Sequence, residues 1–256
     1  MSQGVLTDLT DGILTIQFNR PDAMNALHLE AFLALEAALA NLDPEVRAII
    51  VKGNERAFCS GADVSLMSPG QGSLGMEKIT QLMQTYRNVE VPVIAAVSGP
   101  AAGIGCSLAL MADYVLMSEK SYLMLAFTRI GLMPDGGATA LVAASAGRHR
   151  ALRMALTAEK LPATSAFEWG LASEVVAPDL LDTRAGEVAA TFAKSATVAL
   201  GRTKRAINDA TLTELDAALG REAEGQDALR TTEDYAEGVA AFLEKRPAVF
   251  KGVNRA

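Results

Sequence analysis

The residues best placed to do chemistry sit in two glycine-bearing turns, FCSGAD (Phe58 to Asp63) and SGPAAGIGCSLA (Ser98 to Ala109). Each follows a β-branched, strand-like run, RAIIVKG before the first and VPVIAAVSG before the second. Glycine and other small residues let backbone N–H groups approach a ligand without side-chain obstruction. Two such turns brought side by side aim two backbone donors at one carbonyl oxygen, the arrangement that holds a developing oxyanion. The string GIGCSLA could be taken for a dinucleotide-binding loop, but Leu108 stands where the third glycine belongs. No downstream acid falls in the expected setting either, so that reading is rejected.

In order and spacing, the chain resembles the crotonase superfamily, which includes enoyl-CoA hydratases and enoyl-CoA isomerases. The resemblance runs from FNRPDAMNAL (Phe18 to Leu27) through both turns to FTRIGLMPDGGAT (Phe127 to Thr139), and ends in AFLEKRPAVFKG (Ala241 to Gly252). It therefore covers nearly the whole chain. It implies an α/β fold: a β-β-α spiral core over residues 1–193, then a C-terminal helical trimerisation region over 194–256. It further implies an acyl-CoA substrate, coenzyme A present only as part of that substrate with no permanently bound cofactor, and a homotrimer or dimer of trimers.

Residue by residue, the resemblance assigns the oxyanion donors to the backbone N–H groups of Ala62 and of Ile104, which lies between Gly103 and Gly105. Hydratases of the superfamily carry two glutamates that activate water. The matching positions here are Ser107 and Phe127, and neither can act as a carboxylate base. What remains is Asp135 in MPDGG, where single-carboxylate enoyl-CoA isomerases carry their acid. One base can move a proton between C2 and C4 of a thioester once the enolate is stabilised. The same Asp also suits a Pro-Asp-Gly turn through local hydrogen bonding alone. Met124, Phe127, Ile130 and Leu132 then read as an acyl pocket or as ordinary core, with Gly103 and Ser107 beside them. For coenzyme A, the resemblance points to Met24, Ala26, Ser60, Asp63 and Val64, and to Phe242 and Lys245 from the tail. At i, i+3 on a helix, Phe242 and Lys245 would share one face. Arg20 and Arg56 are further candidates for phosphate contacts that nothing in the sequence selects.

Bulk properties exclude other classes. Over 256 residues the formal net charge is −7, so no broad basic face is expected and nucleic-acid binding is disfavoured. Half the residues are hydrophobic and 21% are charged, which fits a folded globular chain rather than a disordered one. Two cysteines, Cys59 and Cys106, make no disulfide framework and fit a reducing compartment. The start MSQGVLTDLTDG lacks the features of a signal peptide, and no apolar run reaches membrane-spanning length. A cytoplasmic protein with no membrane partner is expected. No Cys/His/Asp/Glu cluster has metal-ligand spacing, so no metal is expected. His28 and His149 pair with no nucleophile by any motif, and capping or surface roles are expected.

The elements that must position these residues follow from periodicity. ILTIQFN (Ile13 to Asn19) alternates and reads as a strand, and HLEAFLALEAALANL (His28 to Leu42) reads as a helix. RAIIVKG and VIAAV read as strands, with helices near Met76 to Arg87 and Ile104 to Met111. MSPGQGSLG (Met67 to Gly75) reads as a flexible loop. Past Ala193, three amphipathic stretches (201–211, 212–229 and 232–246) read as helices whose apolar faces need a partner.

Overall fold

The structure is a computed structural model that describes residues 4–67 and 75–253. Positions 68–74 of the expected flexible loop therefore lie outside the described residues.

The chain opens with β1 (Val5–Thr10), an Asp11-Gly12 turn and β2 (Ile13–Phe18), paired antiparallel. Helix α1 (Leu29–Ala40) leads to β3 (Ala48–Lys52), and α2 (Met76–Asn88) leads to β4 (Val93–Val97). After only Ser98 and Gly99 the chain re-enters as β5 (Pro100–Ala102), followed directly by α3 (Ile104–Met111). The pattern then repeats with β6 (Tyr114–Ser118) and β7 (Tyr122–Met124). Helices α4 (Ala138–Ala146) and α5 (Arg148–Thr157), β8 (Leu161–Pro162), α6 (Ala163–Glu168), β9 (Glu174–Val176) and α7 (Leu181–Ala193) complete the core.

These strands divide between two sheets. One has the order β1-β2-β3-β4-β6-β9 and the other the order β5-β7-β8. β4 and β6 belong to the first and their immediate successors β5 and β7 to the second, so these two turns of the chain each contribute a strand to both sheets before a helix. This is the β-β-α spiral that the resemblance implied.

The central strands are buried on both faces, as parallel strands are when helices cover them. Alternate residues serve different cores. Ile49, Val51, Val93 and Ala95 join the main core with α1, α2 and α3. Ala48, Ile50, Ile94 and Ala96 face α7 through Leu181, Ala185, Val188 and Ala189.

Beyond α7 the described elements are all helical: α8 (Thr197–Thr211), α9 (Leu215–Leu229) and α10 (Glu233–Leu243). α8 has no buried residue, with Val198 and Ile207 exposed. α9 instead buries Leu215, Ala218 and Leu219 against its own chain, packing on α2 and α4. α10 packs on the 3-10 turn at Ala126–Ile130, with Gly238 flush against the Ile130 backbone. Much of the tail's apolar face thus finds its partner within the same chain.

Candidate active site

The two glycine turns are joined before they reach the cavity. Cys59 and Ala101 form an isolated parallel bridge, with Cys59 N–H donating to Pro100 O at 3.1 Å and Ala102 N–H donating to Cys59 O at 2.9 Å. Just beyond it the backbone bends through Gly61 (φ +110°) and Gly103 (φ +54°), conformations an L side chain rarely adopts. A side chain at Gly61 would also lie 3.1 Å from Ala102 O, so the approach of the two turns needs a bare backbone there. On the far side, Leu27 N–H donates to Gly61 O at 2.8 Å and Asp63 N–H to Leu27 O at 2.9 Å, pinning the first turn from its other edge.

The residues that follow the two glycines are Ala62 and Ile104, and both line one cavity of about 780 Å³. Among the described residues neither amide donates to a protein acceptor. Ile104 is the first residue of α3, so its N–H is one of those a helix leaves unpaired, and it sits at the positive end of the helix dipole.

Asp135 lines the same cavity and is 5% exposed. Its Oδ2 accepts from Gln226 Nε2 at 3.1 Å, while its Oδ1 is buried without a protein partner. Burial raises its pKa to about 8, reinforced by the neighbouring Glu222 carboxylate and opposed in part by Arg230. Glu222 is itself fully buried. It accepts from Gly137 N–H at 2.7 Å, Thr139 N–H at 2.9 Å and Thr139 Oγ1 at 2.6 Å, capping the start of α4.

Ser107 requires a correction. It does not line the cavity; its buried hydroxyl donates to the Asp135 backbone carbonyl at 2.7 Å. Its position at the close of the first turn of α3 directs it at the Asp135 loop, so it braces the acid instead of meeting a ligand.

The other expected residues gather as a wall and a mouth. Met124, Phe127, Ile130 and Leu132 line the cavity with Phe32, Leu66 and Ile79, giving it an apolar interior. Met24, Ala26, Ser60, Asp63, Val64 and Gly103 line it as well, as do Phe242 and Lys245 of the same chain. The Asp63 side chain is committed to Arg20 Nη1 at 2.9 Å and Ser65 Oγ at 2.6 Å, which hold its carboxyl below the ordinary range. Arg20 is thereby engaged, and neither it nor Arg56 lines the cavity.

Phe242 and Lys245 do not share a helical face as i, i+3 spacing implied. α10 stops at Leu243, and Lys245 adopts left-handed backbone (φ +54°) past the helix end. Lys245 N–H donates to Phe242 O at 3.2 Å and Arg246 N–H to Ala241 O at 3.0 Å, the paired bonds of a Schellman cap. Arg246 is drawn back by Glu237 at 2.6 Å, and this reversal turns Lys245 to the cavity.

His28 caps α1, its Nδ1 accepting from Ala31 N–H at 3.4 Å, and His149 is exposed. Burial pushes both Cys59 and Cys106 up to about 12, so neither thiol is a nucleophile.

Sequence reading missed Glu222, Gln226 and Arg230, although α9 carried a signal. Glu222 and Gln226 continue the buried stripe Leu215, Ala218, Leu219, where a polar residue must have a partner. Lys160, whose ammonium lies 4.7 Å from the Tyr122 ring centre, and Arg129 also line the cavity and carried no such signal.

A spiral of paired strands with an apolar cavity under two joined glycine turns defines the crotonase fold class. The chain belongs to the enoyl-CoA hydratase/isomerase family of acyl-CoA-processing enzymes, whose family model matches residues 8–253. It is similar to a probable enoyl-CoA hydratase of Rhodobacter capsulatus, 40% identical over 96% of each chain. It is 34% identical to the 1,2-epoxyphenylacetyl-CoA isomerase of Escherichia coli, over 98% of this chain and 100% of that one. Among solved structures it resembles an enoyl-CoA hydratase from Mycobacterium avium subsp. paratuberculosis, with a TM-score of 0.90 and 43% identity over 97% of this chain and 98% of that one.

Proposed function

We propose that the protein is an enoyl-CoA isomerase that moves a carbon–carbon double bond along the acyl chain of a coenzyme A thioester. The carrying observation is that, among the described residues, the cavity lining holds one buried carboxylate. Of the acids lining the cavity, Asp22 is exposed and Asp63 is tied to Arg20, which leaves Asp135 as the buried one.

In this reading the thioester oxygen of a 3-enoyl-CoA lies against the N–H groups of Ala62 and Ile104. Asp135 Oδ1 takes a proton from C2, and the electron pair spreads onto that oxygen as a dienolate. The same carboxyl then returns the proton at C4, giving the 2-enoyl-CoA with no net gain or loss of atoms. A carboxylate with a pKa near 8 suits the task, because a base close to the operating pH both accepts and returns a proton readily. Coenzyme A would leave by the mouth, where Phe242 is 58% exposed and can stack, beside the Lys245 ammonium.

Hydration is the second reading, favoured by the hydratase name of the 40%-identical relative. Against it, Phe127 is apolar and the Ser107 hydroxyl is spent on Asp135 O, so no second acid is offered at either position. A non-catalytic acyl-CoA binder is a third, and Asp135→Asn would leave such a protein unchanged. Incubation with 3-enoyl-CoA and with crotonyl-CoA, followed by mass spectrometry and NMR, decides among them. The isomer keeps the substrate mass, and a hydration product gains one water. Rapid 3-hydroxyacyl-CoA formation would overturn the assignment. We further propose a homotrimer or dimer of trimers in the cytoplasm, with light scattering as the check on assembly.

A further inference from the structure

Asp135 belongs to the turn Met133-Pro134-Asp135-Gly136-Gly137, which no strand ladder holds. Its anchors come from neighbouring helices, Ser107 of α3 on its carbonyl and Gln226 of α9 on its side chain. Gln226 is fully buried, and its Nε2 donates twice, to Met133 O at 2.6 Å and to Asp135 Oδ2 at 3.1 Å. Both partners are acceptors, so the amide nitrogen must face them, and Gln226 Oε1 is left buried without a partner. Burying an unpaired amide oxygen is costly. At a position continuing the apolar stripe of α9, leucine or methionine would avoid that cost but would leave Met133 O and Asp135 Oδ2 without their donor. Something other than packing keeps an amide there.

We infer that Gln226 is the positioning residue for Asp135: by occupying Oδ2 and bracing the loop two residues upstream, it fixes the carboxyl rotamer and presents Oδ1 to the substrate. The inference rests on the reading of Asp135 as the base. A neutral donor on one oxygen also favours the ionised carboxylate, against the burial and the Glu222 charge that oppose it. Among the described residues, the charged groups facing Asp135 are Glu222 on α9 and Arg230 just past its end. α3 presents Ile104 and Ser107 to this loop, and α4 begins with Ala138 and Thr139; neither brings a charge.

The test compares Gln226→Met, Gln226→Glu and Asp135→Asn. Two readouts are taken across pH: kcat and KM for double-bond migration in a 3-enoyl-CoA, and infrared titration of the Asp135 carboxyl, assigned by its loss in Asp135→Asn. Gln226→Met should lower kcat by about 10- to 100-fold with KM nearly unchanged, since it disturbs orientation and not binding. It should also move the carboxyl titration and the rising limb of kcat to higher pH, because the donor to the ionised form is gone. A folded Gln226→Met with wild-type kcat and an unmoved titration overturns the inference. Gln226→Glu keeps the shape and serves where the methionine variant does not fold. A second acid in contact should make the last proton leave at higher pH, and an unmoved titration there is equally fatal. Normal turnover by Asp135→Asn would instead sink the base assignment. Inactive Asp135→Asn beside an unaffected Gln226→Met sinks only the role of Gln226.

Discussion

Cys59 pairs with Ala101 as a parallel bridge, and counting the same distance along each strand from that pair leads to Ala62 on one side and Ile104 on the other. The bridge sets the register of the two turns, and the glycines between bridge and donor let the backbones stay close. Ile104 is the first residue of α3, a position where proline is tolerated because the N–H there has no helical acceptor. Ile104→Pro therefore deletes the proposed donor while leaving the helix start intact. Its kcat should fall by about 10²- to 10³-fold, as for loss of one oxyanion donor elsewhere, with Ile104→Val near wild type as the control. Equal rates for the two variants would show that this amide holds no oxyanion.

Asp135→Asn should reduce double-bond migration by about 10²- to 10⁴-fold, the usual worth of a positioned base. Isothermal titration with a substrate analogue should find affinity little changed. In the wild-type enzyme kcat should rise with pH through about 8, as the carboxyl gives up its proton.

The same group makes a stability prediction of opposite sense. The folded pKa lies above the unfolded value of 3.8, so between there and about 8 the native state holds the extra proton. Stability must then decline as pH rises through that window and level off above it. Asp135→Asn removes this decline. Its melting temperature should exceed that of the wild type in mildly alkaline buffer, and the gap should close near the ordinary carboxylate pKa, about 4.

Glu222 couples the fold to the base. Glu222→Gln turns an NH₂ group toward donors that the carboxylate now accepts from, so part of the α4 cap is lost. A melting temperature lower by about 5 °C is expected, from about 1–3 kcal/mol for buried donors left unpaired. Removing the charge beside Asp135 should also shift the rising limb of kcat to lower pH. A limb that stays in place would mean that the two carboxyls do not interact.

Lys245 holds a left-handed conformation at the position after a helix where glycine is usual. That conformation costs a non-glycine residue about 1 kcal/mol. Lys245→Gly should raise the melting temperature by about 2–4 °C and raise KM for acyl-CoA, trading stability against the ammonium at the mouth. A variant stabilised with KM unchanged would remove Lys245 from the ligand's path.

Much of the spiral was legible because its signals are local. The apolar runs at Ala48–Lys52 and Val93–Val97, the helix starting at Ile104 and the three tail helices all follow from periodicity and turn residues within a few positions of one another. β1 was not read as a strand, since only Val5 of it is buried and no alternation shows, although Asp11-Gly12 is a strong hairpin turn. The two turns and the lone acid were legible as residue types in order.

The sequence by itself thus determined which backbone groups and which carboxylate are available for chemistry, because short-range sterics and hydrophobic period are written in neighbouring residues. Only the tertiary structure decided the state of that carboxylate. Its burial, the Gln226 donor and the Glu222 charge come from a helix more than eighty positions downstream, with Gln226 91 positions beyond Asp135, and packing at that separation leaves no mark on the local pattern. The same holds for Ser107, whose hydroxyl turns to the Asp135 loop instead of the cavity, and for Lys245, which reaches the cavity from past the end of a helix and not along a helical face shared with Phe242.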